Sequence, residues 1–170
     1  MKPSVSRILF TLLVAGAGTI LAGTAGTAAA EQKSAKAKNA ETVAPYVWRE
    51  GAQGYQQALA EAKAYNKPLV VYFYTDWCPY CREFNSKLLS TPEVQDHLRH
   101  FAVVRINPEK GMEEKRIARQ YRIGGYPSFF VHPNSSQQPK PVDRMTLAGP
   151  QRRLQTPQEF VETLKQAAVN

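Results

Sequence analysis

The chain has 170 residues, a formal charge of +8, 43% hydrophobic residues and only two cysteines. The excess of basic residues is not gathered beside aromatic ones, which excludes the usual nucleic-acid surface; it reads as a solvated basic face suited to acidic partners or a membrane surface. Two cysteines are too few for a domain held together by a disulfide framework.

The first 30 residues read as an export signal rather than as part of the fold. Lys2 and Arg7 make a basic start, Ile8 to Ala22 is an apolar stretch, and Ala28-Ala29-Ala30 fits a cleavage site before Glu31. The stretch is short and rich in Gly, Ala and Thr for a transmembrane helix, although an uncleaved anchor is the alternative. Leu21-Ala22-Gly23 is followed by Thr24, where a lipoprotein would need cysteine. Removal of residues 1–30 leaves 140 residues with a charge of +6, enough for one domain with a real core. Export to the periplasm or its equivalent places both cysteines in an oxidising compartment. Residues 31–44, rich in Ala and Lys without a repeating apolar face, read as a flexible linker, and 45–170 as the folded domain.

Within that domain Tyr46-Val47-Trp48 is a candidate edge strand. Tyr55, Ala58, Leu59, Ala62 and Tyr65 recur at helical spacing, and Asn66-Lys67-Pro68 ends that helix. Leu69 to Thr75 is a continuous apolar run rich in Val, Tyr and Phe, the pattern of a strand buried on both faces. Asp76 and Trp77 break it, and Cys78-Pro79-Tyr80-Cys81 opens a helix through Phe84, Leu88 and Leu89. Pro79 suits the first helical position, where its fixed φ helps and its missing N–H costs nothing. Cys78 then leads the helix, where unpaired N–H groups and the macrodipole favour a thiolate. Cys81 lies on the same side of the first turn, within disulfide reach.

Thr91-Pro92-Glu93 restarts a short helix with a cap and a proline at its first position. Phe101 to Asn107 reads as a strand, Gly111 to Arg122 as a helix with Ile117, Ala118 and Tyr121 inward, and Pro127 to His132 as a strand. Pro133 to Pro141 reads as a long hairpin loop, after which Arg144 to Ala148 is expected to pair back antiparallel. Thr156-Pro157-Gln158-Glu159 is a capping box for a last helix whose core face is Phe160, Val161, Leu164 and Ala168.

Strand, Trp77-Cys78-x-x-Cys81 and helix, with Ile123-Gly124-Gly125-Tyr126-Pro127-Ser128-Phe129-Phe130 about 45 residues later, resemble the active site of the thioredoxin superfamily. The resemblance covers residues 45–168 and implies an α/β fold: a central mixed sheet of four or five strands flanked by helices, in the order βαβαβαββα. It implies a cis-proline at Pro127 opposite the thiols, with Tyr126 lending its backbone to the partner chain. The activity implied is exported thiol–disulfide exchange with protein thiols or disulfides. Cys78, leading the helix, is the exposed attacking sulfur, and the more buried Cys81 resolves the mixed disulfide. Trp77 and Tyr80 flank the sulfurs as an apolar landing surface, with packing over the strand end as the plain alternative for Trp77. No cofactor and no metal is implied; the expected state is a monomer served by a membrane or soluble redox partner.

Three positions depart from thioredoxin. Pro79-Tyr80 resembles the dipeptide of glutaredoxin, Tyr72 stands in place of a buried acid, and Arg105 stands where a Lys would pair with that acid and so needs another partner. Asp76 and Glu83 are nearby carboxylates, read as exposed solubilising charge before proton handling. Other readings of the two cysteines compete with exchange. A plain structural disulfide would constrain the chain little at this spacing. Cys78-x2-Cys81 followed by His97-x2-His100 loosely imitates a zinc module, but the histidine gap is short and no hairpin precedes Cys78. His97, His100 and His132 are read as surface residues. A chaperone, or a copper- or haem-delivery protein, could keep the fold and use its cysteines only for docking. Arg82 follows Cys81 where haem attachment would need His.

Overall fold

The computed structural model describes residues 46–134 and 138–169. The signal segment and linker expected over 1–44 lie outside them, as do residues 135–137 of the loop expected between Pro133 and Pro141. The apolar run becomes β2 (Leu69–Phe73), whose five residues are all buried. It is the middle strand of a five-stranded sheet in the order β1-β3-β2-β4-β5. Here β1 is Arg49–Glu50, β3 is Ala102–Ile106, β4 is Ser128–His132 and β5 is Lys140–Pro141. β1 and β2 run parallel to β3, β4 runs antiparallel to β2, and β5 antiparallel to β4.

Successive side chains of β2 point to opposite faces, and each face has its own core. Val70 and Tyr72 join Phe84, Leu88, Leu98, Phe129 and Phe160 on one side. Leu69, Val71 and Phe73 join Ala58, Ala62, Val104 and Ile117 on the other. Covering on both faces is why the strand reads as unbroken hydrophobicity. The helices divide accordingly. α1 (Gly51–Tyr65) and α4 (Met112–Gln120) cover the Phe73 face. The Tyr72 face is covered by α2 (Pro79–Phe84), the π-helical turn Asn85–Leu89 that extends it, α3 (Pro92–Leu98) and α5 (Pro157–Ala168).

Local chemistry sets the helix ends. α1 stops at Asn66 in the left-handed conformation, which Asn tolerates. Its start has no side-chain cap from Glu50. Instead Glu114 of α4 accepts from the Ala52 N–H at 2.9 Å, a long-range contact that local sequence does not announce. Gly54 lets α1 come down on β1, because a Cβ there would sit 2.9 Å from the backbone of Arg49. The π turn, in which the Ser90 N–H reaches the Asn85 carbonyl at 2.9 Å, presents both Leu88 and Leu89 to the core. α5 has the full capping box between Thr156 and Glu159.

Several expectations need correction. Tyr46-Val47-Trp48 is not itself the first strand; pairing begins at Arg49, and Tyr46 and Trp48 instead pack as rings, Trp48 lying 5.9 Å from Tyr72. Thr91 does not cap α3, because its hydroxyl donates to the Leu88 carbonyl at 2.8 Å. The strand pairing back on β4 is Lys140–Pro141, not Arg144 to Ala148. Residues Met145–Ala148 (β6) instead pair with Gln151–Leu154 (β7) in a separate hairpin turning at Gly149 and Pro150. His132 is buried rather than on the surface; its Nε2 lies 2.7 Å from the Tyr121 hydroxyl, itself 3.1 Å from the Tyr55 hydroxyl. Burial pushes the Tyr121 phenol well above its ordinary value, so this chain of groups is neutral at Tyr121.

Candidate active site

The end of β2 delivers the chain to the site. After Phe73, Tyr74 and Thr75 bring it to Asp76 and Trp77, and Cys78 takes the N-cap of α2 in extended conformation with Pro79 as the first helical residue. The Cys78 carbonyl accepts the first helical hydrogen bond, from Arg82, at 3.2 Å. Its sulfur accepts from the Cys81 N–H at 3.1 Å. The sulfurs of Cys78 and Cys81 are joined in a disulfide with Cα atoms 5.3 Å apart, an ordinary separation. Each cysteine is almost fully covered, at 2% and 1% exposure. In this oxidised form Cys78 is therefore not the exposed member expected from its lead position; its place at the helix start and the Cys81 N–H that its sulfur accepts distinguish it.

Exposed aromatic rings frame the covered sulfurs. Trp77 and Tyr80 are 62% and 63% exposed, so neither ring is packed into the core. The Trp77 indole N–H donates to both carboxylate oxygens of Glu109, at 3.0 and 3.1 Å. Its ring meets Tyr126 edge-on with centroids 6.3 Å apart. The Tyr126–Pro127 bond is cis, and Pro127 is buried. On the other side, Tyr80 and Glu83 face Arg144, Met145 and the β7 residues Arg152, Arg153 and Leu154 across a cleft of about 470 Å³. The hairpin β6-β7 is thus a wall of the site, which sequence reading missed by assigning Arg144 to Ala148 to the main sheet.

The departures from thioredoxin have structural consequences. Tyr72 is wholly buried among Trp48, Tyr74, Phe84 and Phe129, and burial raises its phenol far above the ordinary value, so no charge lies there. Arg105 finds its partner in Glu50, to which it donates, and its guanidinium lies 5.5 Å from the centre of the Tyr74 ring. Asp76 is exposed and paired with Lys110 at 2.6 Å, whose hydrogen bond holds its carboxyl below the usual range. Glu83 is paired with Lys87 at 2.8 Å. Both carboxylates serve as surface ion pairs, a sufficient account of their charge.

A zinc module would need Cys78, Cys81, His97 and His100 around one point. The two thiols are spent on each other, and among the described residues no group of three or more His, Cys, Asp or Glu is placed to hold a metal. His97 and His100 lie against each other, ring centroids 6.2 Å apart, and His97 also packs on Phe101. Burial, with His100 a lesser cause, keeps the His97 imidazole below its ordinary value.

Comparison with known proteins fits this geometry. A family model described as "Thioredoxin-like domain" matches residues 55–147. The thiol:disulfide interchange protein DsbD of Salmonella typhimurium is 32% identical over 91 residues, which is 53% of this chain but 16% of that relative. The chain thus spans about a sixth of the length of the curated relative it matches. Among solved structures, a thioredoxin from Thermus thermophilus superposes with a TM-score of 0.54 at 30% identity, covering 73% of this chain and 89% of that one. The C-terminal domain of DsbD from Neisseria meningitidis, in the oxidised form, gives 0.55 at 24% identity, covering 71% and 99%, a likeness of fold.

Proposed function

Given that the chain belongs to the thioredoxin-like domain family, whose thiol–disulfide oxidoreductase chemistry it carries in the Cys78–Cys81 pair, we propose that it is an exported enzyme exchanging disulfides with other proteins. The observation that carries the reading is the position of the disulfide. One sulfur caps the first turn of α2 between two exposed aromatic rings, where a structural bridge would need neither cap nor rings.

In the reducing direction, the Cys78 thiolate attacks one sulfur of the partner's disulfide. A bond forms between Cys78 Sγ and that sulfur, and the partner's second sulfur leaves as a thiolate that takes up a proton. Cys81, having lost its proton, then attacks Cys78 Sγ, closing the bond seen here and releasing the partner's first sulfur as its second thiol. Two electrons and two protons pass from the pair to the partner; the oxidising direction is the same sequence reversed. Cys78 is assigned the attack because its sulfur already accepts the Cys81 N–H, and further charge there faces the start of the helix. Trp77, Tyr80 and Tyr126 are assigned to holding the partner chain, and Pro127 to closing the active-site groove between them.

Export rests on the basic, apolar and small-residue pattern of residues 1–30, and places the domain in the periplasm. N-terminal sequencing of exported protein is expected to begin at or near Glu31; intact Met1 in a membrane fraction would contradict cleavage. Exchange itself is tested by turnover of a disulfide-bonded protein with dithiothreitol as the source of electrons. The domain should accelerate it, and the Cys78→Ser, Cys81→Ser double variant should not. Equal acceleration by both would overturn the reading.

A further inference from the structure

A groove of about 510 Å³ is lined by Tyr126 and Glu109, both in contact with Trp77, and by residues of and around α4 to which the exchange reaction gives no role. Its floor is apolar, from Ala118, Ile123 and Tyr126. Its outer wall is Lys115, Arg119 and Arg122, three exposed cations at consecutive turns of α4 and just beyond it. Most charged side chains of the domain are paired: Arg105 with Glu50, Lys110 with Asp76, Arg116 with Glu113, Arg152 with Asp143, Arg153 with Glu159. Lys115, Arg119 and Arg122 make no ion pair with any described residue. The acid among its lining residues, Glu109, already accepts from the Trp77 indole N–H.

We propose that this groove is a docking track for an acidic segment of the protein partner, next in its chain to the cysteine that exchanges with Cys78. The proposal deepens the exchange reading and rests on it. Tyr126 belongs to both places: its ring lines the groove and meets Trp77, and its backbone immediately precedes Pro127. A chain leaving the disulfide past Tyr126 therefore enters the groove. The apolar floor accepts its nonpolar side chains, and three unneutralised cations along one wall complement carboxylates on the side facing α4. A bilayer would meet cations on a convex or flat face; these line a concave one with an apolar bottom, which fits a single extended chain. Complementary charge of this kind acts chiefly on encounter rate and partner choice.

The test uses the reduced domain and disulfide-linked peptide dimers whose single cysteine is flanked on one side by three Glu, three Gln or three Lys. Stopped-flow exchange rates are measured at low and high salt. The expected result is a preference of about tenfold for Glu over Gln at low ionic strength, the reverse preference for Lys, and collapse of both at high salt. The variant carrying Lys115→Gln, Arg119→Gln and Arg122→Gln should lose the Glu preference and react with the Gln peptide as the unchanged protein does. A Glu preference that survives in the variant, or is absent from the unchanged protein while the Gln peptide still exchanges, would overturn the docking proposal and leave the exchange reading standing. Failure of every peptide to exchange would overturn both. Salt-sensitive binding of the domain to phosphatidylglycerol vesicles, lost in the variant and unaccompanied by any peptide preference, would assign the cations to a membrane and overturn the proposal as well.

Discussion

The backbone N–H of Cys81 points at Cys78 Sγ from 3.1 Å, so the second cysteine supplies a helix-start hydrogen bond to the first. Cys78 also occupies the N-cap, while Cys81 lies inside the first turn of α2. In the reduced protein this asymmetry favours charge on Cys78. Iodoacetamide titration across pH should show one thiol alkylated quickly at lower pH than free cysteine and one that lags, with mass mapping placing the fast label on Cys78. Equal labelling of the two at all pH values would contradict the assignment.

The neutral Tyr72, packed against Phe84 of the helix that Cys78 caps, bears on redox poise. Thioredoxin-like reducing power is associated with a buried acid at this place, and a negative charge there opposes the Cys78 thiolate. Here the phenol is kept neutral by burial, and Arg105 is held by Glu50. A less opposed thiolate stabilises the reduced form and raises the potential. Equilibration with glutathione buffers should give a value above thioredoxin's, about −270 mV, and nearer the glutaredoxin range of roughly −200 to −230 mV. Tyr72→Phe should leave the value unchanged and Tyr72→Asp should lower it. A value at or below −270 mV in the unchanged protein, by the same measurement, would show that Tyr72 does not set the poise.

The parts of the fold that were legible in sequence are those whose cause is local. Leu69 to Thr75 announced the doubly covered strand that forms over Leu69–Phe73, Asn66 a helix end, and Thr156 with Glu159 a capping box, because each depends on neighbours within a few residues. The Cys78–Cys81 bridge and the cis bond before Pro127 were legible for another reason, since their two motifs carry their own spacing. What escaped depends on distant pairing. Nothing near Arg144 says that Met145 to Ala148 will pair with Gln151 to Leu154 instead of β4, nor that His132 will be turned inward onto Tyr121. Likewise Glu114 capping α1, and Glu109 holding Trp77, join residues 62 and 32 positions apart. The charge excess was visible, but its concentration at Lys115, Arg119 and Arg122 required knowing which cations the fold had paired.

The Arg153–Glu159 pair gives a pH signature. Glu159 accepts from Arg153 at 2.7 and 2.8 Å and from the Thr156 N–H at 2.8 Å, Arg153 being the larger cause, which pulls its carboxyl down to about 2 from an ordinary 4.5. A carboxyl depressed on folding adds stability above its unfolded value, and that contribution fades as pH falls from 4.5 toward 2. Glu159→Gln should therefore melt lower than the unchanged protein at pH 6, with the gap closing by pH 2. A gap independent of pH would contradict this. Thr156→Ala, which removes the other half of the box, should cost about 1 kcal/mol.

The exposed rings of Trp77 and Tyr80 should matter according to substrate size. Replacing both by Ala should slow exchange with a folded or extended protein by about tenfold, while a small disulfide such as oxidised glutathione loses far less. Equal losses for the two substrates would mean that the rings support the site's geometry instead of receiving the partner chain.

The attack by Cys78 on a partner's disulfide is tested most directly by trapping. Cys81→Ser removes the sulfur that resolves the mixed disulfide, so incubation of the reduced variant with a disulfide-bonded protein should accumulate a one-to-one covalent adduct through Cys78, released by dithiothreitol. Cys78→Ser should accumulate none. An adduct that forms equally through Cys81 in the Cys78→Ser variant, or no adduct in either, would contradict the mechanism.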